Sequence, residues 1–95
     1  MSKLELKDFI VDPCKSDKAI EFLPQKKLEL QLSKITNALR ETAQLQAETP
    51  FVILFLFKNA SVSLFKSGRI LVKNVEEKEA KQIVEELLEI INKTE

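Results

Sequence analysis

The 95-residue chain has no histidine, no tryptophan and no tyrosine, one cysteine and one glycine. Each absence excludes something. Without histidine, the commonest general base and the commonest metal ligand are both missing. A single cysteine, Cys14, cannot form an internal disulfide, and a structural zinc site would have to be built from carboxylates alone. One glycine, Gly68, cannot supply a phosphate-cradling loop of the GxxxxGK[ST] or GxGxxG type. No catalytic residue, cofactor site or metal site is therefore expected, and the chain reads as a non-enzyme. Apolar runs stop far short of the roughly 20 residues that span a bilayer. Met1–Lys7 lacks the apolar core of a signal peptide, so no membrane association is expected and the cytosol is the expected compartment.

What is present is an ordinary globular balance, 44% hydrophobic and 32% charged, which predicts a single α+β domain over residues 1–95. Net charge is zero but unevenly placed. Lys58, Lys66, Arg69 and Lys73 occur with no acid between them. The following segment carries Glu76, Glu77, Glu79, Glu85, Glu86, Glu89 and Glu95 against Lys78, Lys81 and Lys93. A basic hairpin beside an acidic helix is thus built into the order of residues. The acids are read as a solvated surface with favourable charge in a helix's first turn.

Hydrophobic periodicity divides the chain. Lys3–Val11 begins in alternation and is closed by Asp12-Pro13, which predicts a first strand. Asp17–Leu23 reads either as a second strand or as a short helical turn. From Gln25 to Gln46, Leu28, Leu32, Ile35 and Leu39 fall at spacings of four, three and four, the stripe of a helix of five or six turns. Phe51–Phe57 is uninterrupted apolar sequence, short and rich in aromatic and β-branched types, and reads as a strand covered on both faces. Ser61–Lys66 and Arg69–Lys73 alternate around Ser67-Gly68, which predicts a hairpin and, with the apolar strand, an antiparallel meander. Ala80, Ile83, Val84, Leu87, Leu88 and Ile91 trace the apolar stripe of a long last helix.

The run Val62-Ser63-Leu64-Phe65-Lys66-Ser67-Gly68-Arg69-Ile70-Leu71-Val72, followed by Glu79-Ala80 at the opening of a helix, resembles one repeat of the TATA-box-binding protein family. That family reads aliphatic-aliphatic-Phe-x-Ser-Gly-Lys/Arg-aliphatic-Val at the equivalent hairpin. The resemblance covers about residues 51–91 and implies a TATA-binding-like single repeat. It further implies a concave sheet that meets the minor groove, with Phe51 and Phe65 at the wedge positions and Ser61, Ser63, Ser67, Leu71 and Lys73 on the same face. The chain holds one repeat where the family holds two. It has Phe57 where the family ends a strand in arginine, and Lys73 where the family has a small polar residue.

With Val62, Leu64, Ile70 and Val72 assigned to the helix side, the opposite sheet face is expected to display Phe51, Ile53, Phe55, Phe57, Phe65 and Leu71. Such a patch exceeds what a monomer leaves in water. Three covers come into question: the Leu28–Leu39 helix, a second copy or another protein, and nucleic acid with Lys58, Lys66, Arg69 and Lys73 at phosphates. The leading expectation is an interaction module that self-associates or joins another protein. Nucleic-acid binding is the alternative.

Overall fold

The computed structural model describes residues 5–14, 19–26 and 29–94. It is an α+β fold in which a six-stranded antiparallel sheet is backed by two helices. The strands are β1 (Phe9–Cys14), β2 (Ala19–Pro24), β3 (Gln44–Glu48), β4 (Val52–Phe57), β5 (Ala60–Phe65) and β6 (Ile70–Lys73). The helices are α1 (Leu32–Leu39) and α2 (Glu77–Thr94), and a 3₁₀ turn at Leu6–Asp8 precedes β1. Strand order is β1-β2-β6-β5-β4-β3, so β4, β5 and β6 are consecutive neighbours joined by tight turns.

Two of those turns follow from local chemistry. Between β4 and β5, Lys58 and Asn59 both take positive φ, 51° and 68°, the backbone that a two-residue hairpin needs to match strand twist. Between β5 and β6, the Gly68 amide donates to the Phe65 carbonyl at 2.9 Å, and the Phe65 amide donates to the Arg69 carbonyl at 2.9 Å. That is a three-residue loop whose last position must be left-handed; Gly68 has φ 96° and is buried, leaving no room for a Cβ.

The core lies on one side of the sheet. Ile20 and Phe22 of β2, Ile53, Phe55 and Phe57 of β4, Val62 and Leu64 of β5, and Ile70 and Val72 of β6 are all buried in one cluster. The same cluster holds Leu32, Ile35 and Leu39 of α1 and the expected stripe of α2, Ala80, Ile83, Val84, Leu87, Leu88 and Ile91. The two helices touch each other, so both lie on this face. No helix among the described residues is long and apolar enough to cross a membrane.

Three expectations change. The helix anticipated over Gln25–Gln46 is only Leu32–Leu39, and Leu28, one of its stripe residues, lies outside the described residues. Its expected end is β3 instead, where Gln44, Gln46 and Glu48 are exposed and Leu45 and Ala47 half-buried. Those residues favour a helix in isolation, but the backbone of β4 needs a ladder partner on that side, and pairing prevails over propensity. The expected start of the helix is displaced as well, since the Leu30 amide donates to the Lys66 carbonyl at 2.9 Å.

The ambiguous second segment is strand β2, paired on one side with β1 and on the other with β6. The first strand is shifted toward Cys14, placing Pro13 in an edge strand, the place in a sheet where a missing amide hydrogen is tolerated. Residues 1–4, on which the expected strand began, lie outside the described residues.

The third change concerns β4. Ile53, Phe55 and Phe57 were expected on the face opposite Val62 and Leu64, and they share its face. The ladder pairs Ile53 with Leu64, Phe55 with Val62 and Phe57 with Ala60, and directly paired residues point the same way. A strand apolar at every position carries no alternation from which its phase can be read.

Candidate interaction surface

Neither helix covers the other face of the sheet, and its composition follows from three ladder rows. The middle row runs Asp12, Glu21, Leu71, Ser63, Leu54, Ala47 from β1 to β3. One flanking row runs Ala19, Lys73, Ser61, Leu56, Gln44. At the other end Ile10 pairs with Leu23 and Phe65 pairs with Val52, while Arg69 sits at the β5–β6 turn beside Phe65. Leu54 and Ile10 are 37% and 54% exposed; Leu23, Val52, Leu56, Phe65 and Leu71 are half-buried.

Of the residues anticipated on an exposed apolar face, Phe51, Phe65 and Leu71 remain accessible. Phe51 lies in the β3–β4 turn and is 72% exposed, and its carbonyl accepts from the Lys66 amide at 2.8 Å. The turn is held by Thr49, whose Oγ1 accepts from the amides of Phe51 and Val52 at 3.2 and 2.9 Å. Phe51 and Phe65 line one open cleft with Glu29, Lys66 and Ser67. Ile53, Phe55 and Phe57 are withdrawn from the surface by the register of β4, Phe55 completely. Their places are taken by Val52, Leu54 and Leu56, with Ile10 and Leu23 added from the first hairpin. The signal that finds them is the pairing of β4 with β5: placing the two-residue turn at Lys58-Asn59 fixes Phe57 opposite Ala60, and every other partner follows.

The anticipated cations do not form one field. Lys58 pairs with Glu86 of α2 and lies 5.9 Å from the Phe57 ring centroid, on the helix side. Lys66 pairs with Glu29 at 3.4 Å, beside the Phe51–Phe65 cleft. Arg69 pairs with Glu21 across the open face. Lys73 is exposed at the end of β6 and takes part in no ion pair among the described residues. The Lys7 ammonium has its pKa raised by its hydrogen bond to Glu5 and by that carboxylate's charge, but it belongs to the 3₁₀ turn packed against α2.

Ser63 stands between Leu54 and Leu71, neither of which can take its proton. Among the described residues, no three acidic or cysteine side chains are placed together to hold a metal ion.

No protein-family model, no curated protein and no solved structure matches the chain.

Proposed function

We propose that the chain is a non-catalytic interaction module, a single TATA-binding-like repeat, whose contact surface is the open sheet face bearing Leu54 and Leu71 at its centre. The observation that carries this reading is that both helices lie on one side, so neither covers the opposite face, where Val52, Leu54, Leu56, Phe65 and Leu71 lie. These residues form an apolar area interrupted by Ser61 and Ser63, and apolar areas on small domains mark places where another macromolecule docks. The resemblance implies strand, helix, apolar strand, hairpin and long helix; β2, α1, β4, β5, β6 and α2 follow one another in that sequence, with β1 and β3 in addition to it.

Edge-to-edge joining of sheets is the weaker way to use this fold. β1 carries Pro13 and Asp12 at one edge, and β3 carries a register shift between Leu45 and Ala47 and charged Glu48 at the other. Prolines, bulges and charges are what keep sheet edges from pairing. Contact through the face is therefore the preferred mode.

A second reading, nucleic-acid binding, draws on one observation: Phe51 and Phe65 are accessible side by side, with the Arg69 guanidinium 5.1 Å from the Phe65 ring centroid. Aromatic and guanidinium planes are what bases stack on. It ranks second because Lys58, Lys66 and Arg69 each already meet a carboxylate.

A photo-cross-linking amino acid at position 54, introduced in the native cell, distinguishes the outcomes. A protein adduct, of the chain with itself or with another protein, is the expected result. An adduct with nucleic acid moves the second reading to first place. Absence of any adduct overturns the proposal.

A further inference from the structure

Across its middle row the open face alternates in size: Ala47 on β3, Leu54 on β4, Ser63 on β5, Leu71 on β6. Small follows large in such a way that the row, reversed about the midpoint between Leu54 and Ser63, becomes its own complement. A two-fold axis parallel to the strands and midway between β4 and β5 performs that reversal. It sets Leu54 over Ser63 of a second copy and Leu71 over its Ala47, and repeats both contacts from the other side. One neighbouring row obeys the same operation, with Leu56 over Ser61, whereas in the other the axis sets Val52 over Phe65, two large side chains.

We infer that the occupant of the open face is a second copy of this chain, packed sheet on sheet about that axis, with the leucine ridge of β4 seated in the serine trough of β5. The inference rests on the reading of the open face as the contact surface. Isologous contact demands a self-complementary patch, and over two of the three rows the ridge of Leu54 and Leu56 lies beside the trough of Ser61 and Ser63. Sheets stacked face to face meet about 10 Å apart.

Charge agrees with the arrangement. The overlapped strands β3 to β6 contribute Arg69 and Lys73 to this face; Arg69 is already matched by Glu21, and the axis sets Lys73 over Gln44, whose amide oxygen can accept from it. Asp12 and Glu21, on β1 and β2, fall beyond the overlap, Asp12 exposed and Glu21 held by Arg69, as the polar rim of an interface does.

Area sets the strength. Four strands spaced about 4.8 Å, each with about six residues rising about 3.3 Å, present roughly 400 Å² per copy. Stable complexes bury about 800 Å² per partner, so the dimer is a reversible one that dilution separates.

The test is sedimentation equilibrium of the full chain from roughly 10 μM to 1 mM, a span that covers weak reversible association. The wild type is expected to pass from monomer to dimer, and Ser63→Leu, which fills the trough, to remain monomeric over the same range. Leu54→Ser combined with Ser63→Leu exchanges ridge and trough, and is expected to dimerise better than either single variant. A face that is merely adhesive behaves oppositely, because Ser63→Leu adds apolar area and association strengthens. That result overturns the inference, as does a wild type that stays monomeric, or a double variant no better than the singles. A monomeric chain whose position 54 cross-links to a protein of different mass removes the second copy yet leaves the interaction surface standing. A monomeric chain with no adduct removes both.

Discussion

The guanidinium of Arg69 lies 5.1 Å from the centroid of the Phe65 ring and pairs with the carboxylate of Glu21, so one side chain ties β6 to β2 while shielding an aromatic ring of β5. The Glu21 side chain is largely shielded from solvent and Arg69 is about half so. A partly desolvated carboxylate losing its partner costs more than a surface pair is worth. The Arg69 Nε is buried and unpartnered among the described residues, so the guanidinium does not offer Glu21 its full fork.

Arg69→Ala is expected to lower stability by about 1–2 kcal/mol in urea titration, because Glu21 is left unpaired beside an uncovered ring. Arg69→Lys should recover only part of this, since an ammonium cannot lie flat on Phe65 and meet Glu21 together. Full recovery by lysine shows that charge alone matters at this position.

Leu54 and Phe55 are adjacent on β4 and point to opposite faces, and substitution should separate them sharply. Phe55→Ala opens the core and is expected to cost about 3–5 kcal/mol, whereas Leu54→Ala in the isolated protomer should cost less than about 1 kcal/mol. Chemical denaturation of both variants at low concentration measures the difference. Equal costs contradict the pairing of β4 with β5.

How far this face could be read from the sequence depends on the strand in question. In most of β5 and in α2, apolar and polar residues recur at the period of the element, and the buried side is written in the order of residues. In β4 it is not, since Val52 to Phe57 are all apolar and either phase satisfies the pattern. Only the Lys58-Asn59 turn decides, because it makes Phe57 face Ala60. The extent of α1 was illegible for a different reason. Gln44 to Glu48 favour a helix locally, and the demand of the β4 edge for a partner is a long-range term that no window of sequence contains. The pairing of Lys66 with Glu29 and of Arg69 with Glu21 likewise spans distant segments, so a hairpin that looks strongly basic in sequence is largely neutralised in the fold.

The buried Thr36 hydroxyl offers a stabilising substitution. Thr36 is buried on α1 and its Oγ1 has no hydrogen-bond partner among the described residues. Valine keeps the shape and removes a desolvated hydroxyl, so Thr36→Val is expected to raise stability by about 1 kcal/mol. For a domain of this size that corresponds to an increase in Tm of about 4–8 °C. A lowered Tm means the hydroxyl makes a bond that holds the helix in place.

The turns should respond with opposite signs. Asn59 and Asn74 both hold φ near +70°, a conformation open to glycine without strain. Asn59→Gly is expected to leave stability unchanged or to raise it by a few tenths of a kcal/mol, since glycine is the preferred second residue of this turn. Gly68→Ala should lower it by more than about 1 kcal/mol, because a Cβ must fit at φ 96° in a buried position. Thermal denaturation reads both, and tolerance of Gly68→Ala contradicts the three-residue loop.

Salt dependence weighs the two readings of the surface against each other. Each phosphate neutralised by a cation contributes about −0.9 to the slope of log Kobs against log salt on duplex DNA. Lys58, Lys66 and Arg69 are held by Glu86, Glu29 and Glu21, which leaves Lys73 as the cation of this group without an ion pair among the described residues. Fluorescence anisotropy with a labelled duplex is therefore expected to give weak binding and a slope no steeper than about −1. Lys66→Glu combined with Arg69→Glu should change it little. A slope of about −3 or steeper, abolished by that double substitution, means the acids release their partners to phosphate and that nucleic acid is the ligand of this face. Self-association, resting on apolar contact, should barely weaken over the same range of salt.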